Sequence, residues 1–131
     1  MIVIDASALV SALTDDGDKG DSVRKRLSED IEWHAPEHLR IEVLSAIRGR
    51  CLGGKITPER GAAAVATLRA LELVSHPCDG LADRIWELRD NFTAYDAAYI
   101  AVAEAQKCPL VTCDYKLKGQ GVARCVIDVV S

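Results

Sequence analysis

The sequence predicts an α/β domain with a mainly parallel sheet. Two short apolar runs, M-I-V-I at 1–4 and L-V-T-C at 110–113, have the continuous hydrophobicity of strands covered on both faces. Segments of helical period separate these runs from three further strand candidates, and strands alternating with helices build parallel sheets. Both apolar runs end at an aspartate, Asp5 and Asp114.

The elements follow in order. Ala6 opens a short helix over 6–13, and Asp15, Asp16, Gly17 and Asp18 make a loop. A second helix is expected over 21–29, with Val23, Leu27 and Ile31 on one side. Residues 33–36 form a brief strand ended by Pro36. The next helix spans 37–51 and is stopped by Gly53 and Gly54. Thr57 caps its successor, with Pro58 in the first turn, and that helix runs through an alanine-rich segment to about residue 72. Residues 73–75 are a strand candidate stopped near Pro77. A helix over 79–89 places Leu81, Ile85 and Leu88 on its apolar face, and Thr93 caps another over 93–106. Residues 124–130 supply the last strand. Repeats, linkers and low-complexity tracts are not visible, so residues 1–131 read as one domain.

Composition bounds the function. The chain has 131 residues, 49% hydrophobic and 27% charged, with a formal net charge of -4. That balance argues mildly against a nucleic-acid binder, unless several acids surround a cation whose own charge belongs in the sum. The five cysteines include no C-x-x-C pair, which disfavours disulfide scaffolds and zinc knuckles and leaves buried, reduced thiols as the expectation. Neither a signal peptide nor a membrane-length apolar run is seen, and the chain reads as soluble and cytoplasmic.

Four acids stand out. Parallel sheets bind ligands at the carboxyl ends of their strands, where Asp5 and Asp114 fall. Leu39, Glu42, Val43, Ala46 and Ile47 follow the spacing of one helix face, so Glu42 lies on the stripe due for burial. A buried carboxylate costs several kcal/mol unless paired, protonated or bound to metal; a stripe-edge position or an arginine such as Arg48 is the alternative. Asp96 shares a face with Tyr99, Ile100 and Ala103, and a simple cap in the first helical turn would also account for it. Two unit charges ~4 Å apart repel by about 4 kcal/mol at an effective dielectric of 20. Four converging carboxylates therefore call for a divalent cation, and oxygen donors suit Mg²⁺ or Mn²⁺. Such a site suits phosphodiester hydrolysis.

The segments I-V-I-D-A-S, R-I-E-V-L-S-A-I, T-A-Y-D-A-A-Y-I-A-V-A-E and L-V-T-C-D together resemble the PIN domain, most closely its VapC branch of toxin ribonucleases. The resemblance runs from Ile2 to about Val129. It implies a PIN-like three-layer α/β/α fold with a mainly parallel twisted sheet. It also implies an acidic Mg²⁺ site, RNA cleavage leaving 5′-phosphate and 3′-hydroxyl ends, a VapB-like antitoxin partner threading a segment over the pocket, and a homodimer. By position, Asp5, Glu42, Asp96 and Asp114 match the acidic quartet. Ser7 and Thr112 match the small hydroxyl residues beside the first and last acids, where local turn bonding is the competing role. Some members have a further acid just after the last quartet residue. Here Tyr115, Lys116 and Leu117 follow Asp114, which leaves one metal against two open.

Lys116 and Lys118 stand near enough to Asp114 to contact RNA phosphates, and Arg48, Arg50 and Lys55 are further candidates. The three histidines are read as structural, and Trp33, Trp86 and Phe92 as core. Ile47, Leu52, Ile56, Val65 and Leu68 serve either the core or a dimer interface. Rim loops at 15–20 and 116–122 are where substrate choice would reside. A phosphoryl-accepting signalling domain fits poorly, because Asp5 has no acidic neighbour. A silent PIN-like module that binds RNA or protein is the main alternative.

Overall fold

The computed structural model describes residues 1–119 and 121–131, so Gln120, in the expected rim segment, lies outside the described residues. The elements in chain order are β1 (Ile2–Ile4), α1 (Ala6–Thr14), α2 (Asp18–Ser28), β2 (Trp33–Pro36), α3 (Leu39–Leu52), α4 (Pro58–Ala70), β3 (Val74–His76), α5 (Ala82–Glu87), α6 (Ala94–Gln106), β4 (Leu110–Thr112) and β5 (Ile127–Val129). Short 3₁₀ turns at Asp79–Leu81 and Tyr115–Lys118 precede α5 and follow β4.

The five strands form one sheet in the order β3-β2-β1-β4-β5. Every pairing is parallel, so the expected mainly parallel sheet is wholly so among the described residues. The chain first steps outward from β1 through β2 to β3, then crosses back to β4 on the far side of β1. Crossovers of one hand then place the helices of the outward run on one face and those of the return on the other. The contacts agree: α1 packs on α2, α3 and α4, whereas α6 lies against β1, β2 and β4 with α5 beside it. Three layers result. The direction of winding reverses between β1 and β4, and a crevice at such a reversal is where open parallel sheets bind ligands.

The elements form where their sequences direct. Ile2, Val3, Ile4, Leu110 and Val111 are each at most 1% exposed, as strands covered on both faces require. Thr57 and Thr93 cap α4 and α6 by accepting from the amides of Arg60 and Asp96. At the end of α3, Gly53 is the cap and Gly54 takes φ +71°, which a side chain would strain. The six-residue α5 with its 3₁₀ lead-in replaces the single helix expected over 79–89.

Several expectations are corrected. Ile31 is fully exposed, because α2 stops at Ser28 and the helical face on which Ile31 was placed ends with it. Trp86 is also exposed, lying under the Arg89 guanidinium at 4.8 Å. Trp33 and Phe92 do pack against the core. All five cysteines are free, but only Cys108 is buried; burial raises the Cys125 thiol to about 11. Ile47 and Leu68 belong to the core, whereas Leu52 is 70% exposed. No helix among the described residues is long and apolar enough to cross a membrane.

Candidate active site

Asp5 is set by the end of β1. Its amide donates to the Val111 carbonyl across the β1–β4 seam at 3.0 Å. Its carboxylate caps α1: Oδ1 accepts from the Ser7 amide at 3.0 Å and Oδ2 from the Ser7 hydroxyl at 3.0 Å. The Thr112 hydroxyl, at the end of β4, also donates to Oδ2. Thr112 accepts in turn from the Asp114 amide at 2.9 Å, and Ser7 Oγ from the Cys113 amide at 3.0 Å. A hydroxyl has one proton. With both protons directed at Asp5, the 3.2 Å contact between Ser7 Oγ and Thr112 Oγ1 is proximity and not another bond. The two hydroxyls therefore serve the local turn and bridge the strands together.

Asp5 is only 6% exposed. Burial raises its carboxyl above the usual range and outweighs these donors; the Glu42 charge pushes the same way. Asp114 projects just beyond β4 and caps the following turn by accepting from the Lys116 amide at 3.0 Å. Lys116 and Lys118 are exposed in that turn.

Glu42 enters from α3, whose Leu39, Val43 and Ile47 are buried as the stripe required. Arg48 does not pair with it. Glu42 Oε1 instead accepts from the Tyr99 hydroxyl at 2.9 Å and meets His38 Nε2 at 3.0 Å. The same His38 nitrogen faces the Tyr95 carbonyl at 3.3 Å; both neighbours accept only, so Nε2 holds the proton. Burial raises the Glu42 carboxyl, but the hydrogen bonds from His38 and Tyr99 prevail and hold it below its usual range. Both partners bind Oε1, and Oε2 has no hydrogen-bond partner among the described residues. Sequence reasoning assigned neither residue to the site. The spacing of His38 and Glu42, one helical turn apart, was the available signal.

Asp96 sits in the first turn of α6, where Thr93 caps its amide at 3.2 Å. The cap is therefore Thr93, and Asp96 lies in the first turn that it caps. Its carboxyl is raised by burial first, then by the charges of Asp5, Glu42 and Asp114 in turn. Asp5, Glu42 and Asp114, each held by a different part of the fold, thus all act on Asp96. Among the described residues no three acidic, thiol or imidazole groups already stand together as a ready metal cluster. The donor chemistry nevertheless fits a hard divalent cation: every quartet donor is a carboxylate oxygen, and three like charges penalise the fourth.

The chain matches the family model described as the PIN domain over residues 2–121. It is 40% identical over 130 residues to a VapC ribonuclease of Mycobacterium bovis, covering 99% of this chain and 98% of that one. Ribonuclease VapC12 of Mycobacterium tuberculosis is 36% identical over 117 residues, 89% of each chain. In fold, the structure is similar to VapC20 of Mycobacterium tuberculosis, with TM-score 0.72 at 15% identity, covering 92% of this chain and 95% of that one. A protein from Pyrobaculum aerophilum superposes with TM-score 0.71 at 22% identity, over 98% of this chain and 83% of its own. By family model and by near full-length identity, the chain belongs to the PIN-domain family and, within it, to the VapC branch.

Proposed function

We propose that the protein is a Mg²⁺-dependent endoribonuclease, the toxin of a toxin–antitoxin pair, formed as one domain over residues 1–131. It hydrolyses RNA phosphodiester bonds to leave 5′-phosphate and 3′-hydroxyl ends, and Mn²⁺ substitutes for Mg²⁺. The observation that supports this most is the placement of Asp5 and Asp114 just past the carboxyl ends of the paired strands β1 and β4, with Glu42 tied by Tyr99 to α6, whose first turn holds Asp96. The VapC relatives at 36–40% identity are named ribonucleases, which supports RNA as substrate.

In this reading Asp5, Glu42, Asp96 and Asp114 hold the cation. When bound, it neutralises charge on the phosphate and makes water a better nucleophile. The protein's own residues prepare the site. Ser7 and Thr112 fix the Asp5 carboxylate, so that it loses little freedom on binding. Tyr99 and His38 occupy one oxygen of Glu42 and leave the other for the cation. The same quartet repels RNA while its full charge stands, so bound metal favours RNA binding as well as cleavage. Lys116 and Lys118, exposed beside Asp114, meet the phosphates next to the cut.

A VapB-like antitoxin is the expected protein partner, in the cytoplasm. A homodimer would use the outward residues of α3, where Ile41 and Leu52 are each 70% exposed. One observation favours a silent binding module instead: the lack of a ready metal cluster among the described residues. Purified protein, freed of antitoxin and incubated with total cellular RNA, separates the two. Fragments with 5′-phosphates in Mg²⁺ and none in EDTA support the nuclease. Intact RNA under every metal leaves the binding module.

A further inference from the structure

Beside the acidic site, and continuous with it, runs a second depression. A pocket of about 330 Å³ is lined by Ser7, Glu42 and Cys113 together with Lys19 and Arg50. Those two residues also line a wider groove of about 770 Å³ between the α1–α2 loop and the α3–α4 junction, which continues past Lys55 and Arg60. Four cations therefore extend outward from the quartet, against three acids along the same walls, Asp15, Asp16 and Asp18.

Two of those acids are already engaged. Asp15 holds Arg50 at 3.2 Å and also accepts from the Ser11 hydroxyl at 2.7 Å. Asp16 grips Arg60 through two nitrogens, at 2.9 and 3.2 Å. These pairs fix two long side chains against the wall while most of the five N–H groups of each guanidinium stay unspent. Lys19 and Lys55 have no ion-pair partner within 4 Å among the described residues. No aromatic side chain lines the groove, so it offers no platform on which a base could stack.

We propose that this groove is the track for the single-stranded RNA backbone on one side of the cut, with Lys19 and Lys55 as its main phosphate contacts and Arg50 and Arg60 as its fixed walls. The inference rests on the ribonuclease reading and adds where the strand lies and how it is held. A track of cations without aromatics reads phosphates and not bases, so it supplies affinity to any sequence. It also answers the charge problem of an acidic chain acting on RNA, because attraction is concentrated beside the cation site.

The test measures binding, with cleavage silenced by Asp96→Asn, of labelled oligouridylate and oligoadenylate in Mg²⁺ across a KCl titration. Each phosphate contact on a single strand contributes about 0.7 to the slope of log affinity against log salt, so Lys19→Gln with Lys55→Gln lowers the slope by about 1.4. The loss is equal for both oligonucleotides. Lys107→Gln, at the opposite edge of the sheet, leaves the slope unchanged. An unaltered slope in the double variant, with the parent binding normally, overturns the track and leaves the nuclease reading intact. A slope that falls for polyglutamate and not for RNA assigns the groove to an acidic protein segment and also overturns it. Failure of the parent to bind either RNA removes the underlying reading and the track together.

Discussion

Thr112 and Asp5 lie 107 residues apart in the chain and share a buried hydrogen bond, hydroxyl to carboxylate, across the β1–β4 seam. The bond fixes a carboxylate at the point where the sheet reverses its winding, and Ser7 completes the clasp from the next helix. The same Thr112 hydroxyl accepts from the Asp114 amide at 2.9 Å, so one side chain at the end of β4 ties both strand-end acids together.

Thr112→Val keeps the β-branched shape and removes the hydroxyl. Loss of a residue that orients a metal-binding carboxylate costs 10–100-fold in metal affinity or activity as a rule of thumb, and about that much is expected here. Thr112→Ser restores most of it. Mg²⁺-dependence of cleavage, compared across the three proteins, checks the prediction.

Asp5 has a folded-state carboxyl raised mainly by burial. A raised acid contributes stability that is present below its unfolded value and lost as pH rises through the folded one. At neutral pH the metal-free protein has lost that contribution, and Asp5→Asn has nothing to lose. The Ser7 and Thr112 hydroxyls are able to rotate toward the amide. The variant is expected to melt above the parent at neutral pH without metal, the gap closing below the carboxyl range. Added Mg²⁺ stabilises only the parent. Melting curves in EDTA and in Mg²⁺ at two pH values decide this.

Glu42 shows the opposite sign. Burial raises it, but His38 and Tyr99 bring it below its usual range, so its stability is present above the unfolded value and lost as pH falls through the folded one. Tyr99→Phe removes one of those donors and is expected to cost about 1 kcal/mol at neutral pH, below the usual range for a charged acceptor because Glu42 is partly exposed. The cost shrinks in acid. Urea titrations at neutral and acid pH measure both.

Gly20 lets α2 begin hard against the α1–α2 loop. A Cβ there would stand 1.9 Å from the Asp15 carbonyl oxygen, a clash with backbone that no rotamer relieves. Gly20→Ala should cost about 1–3 kcal/mol by forcing the loop outward. It also moves Asp15, and with it Arg50, so RNA affinity falls along with stability. Gly17→Ala, whose Cβ meets nothing within 4 Å, is the control.

Much of this was legible in the chain. The runs at 1–4 and 110–113 have the low polarity of covered strands, and Thr57 and Thr93 mark helix starts by their hydroxyls. Glu42 was visible as a charge on an apolar stripe. Its partners were not, because Tyr99 is 57 residues away and only the fold brings it close. Ile31 was misplaced because periodicity continues past Ser28 on paper while the helix does not. Trp86 was read as core because too few aromatics stand beside basic residues to make a stacking surface, whereas a short helix at the surface leaves its ring to Arg89. The groove beside the quartet joins the α1–α2 loop to the α3–α4 junction, and local spacing does not announce that juncture.

Calorimetric titration of Mg²⁺ into the metal-free protein and its Asp96→Asn variant tests most directly whether the four carboxylates act as one cation site. The account predicts saturable binding by the parent and its loss, by about tenfold or more in affinity, when one charge of the four is removed. No binding by the folded parent, or equal binding by the variant, would contradict it.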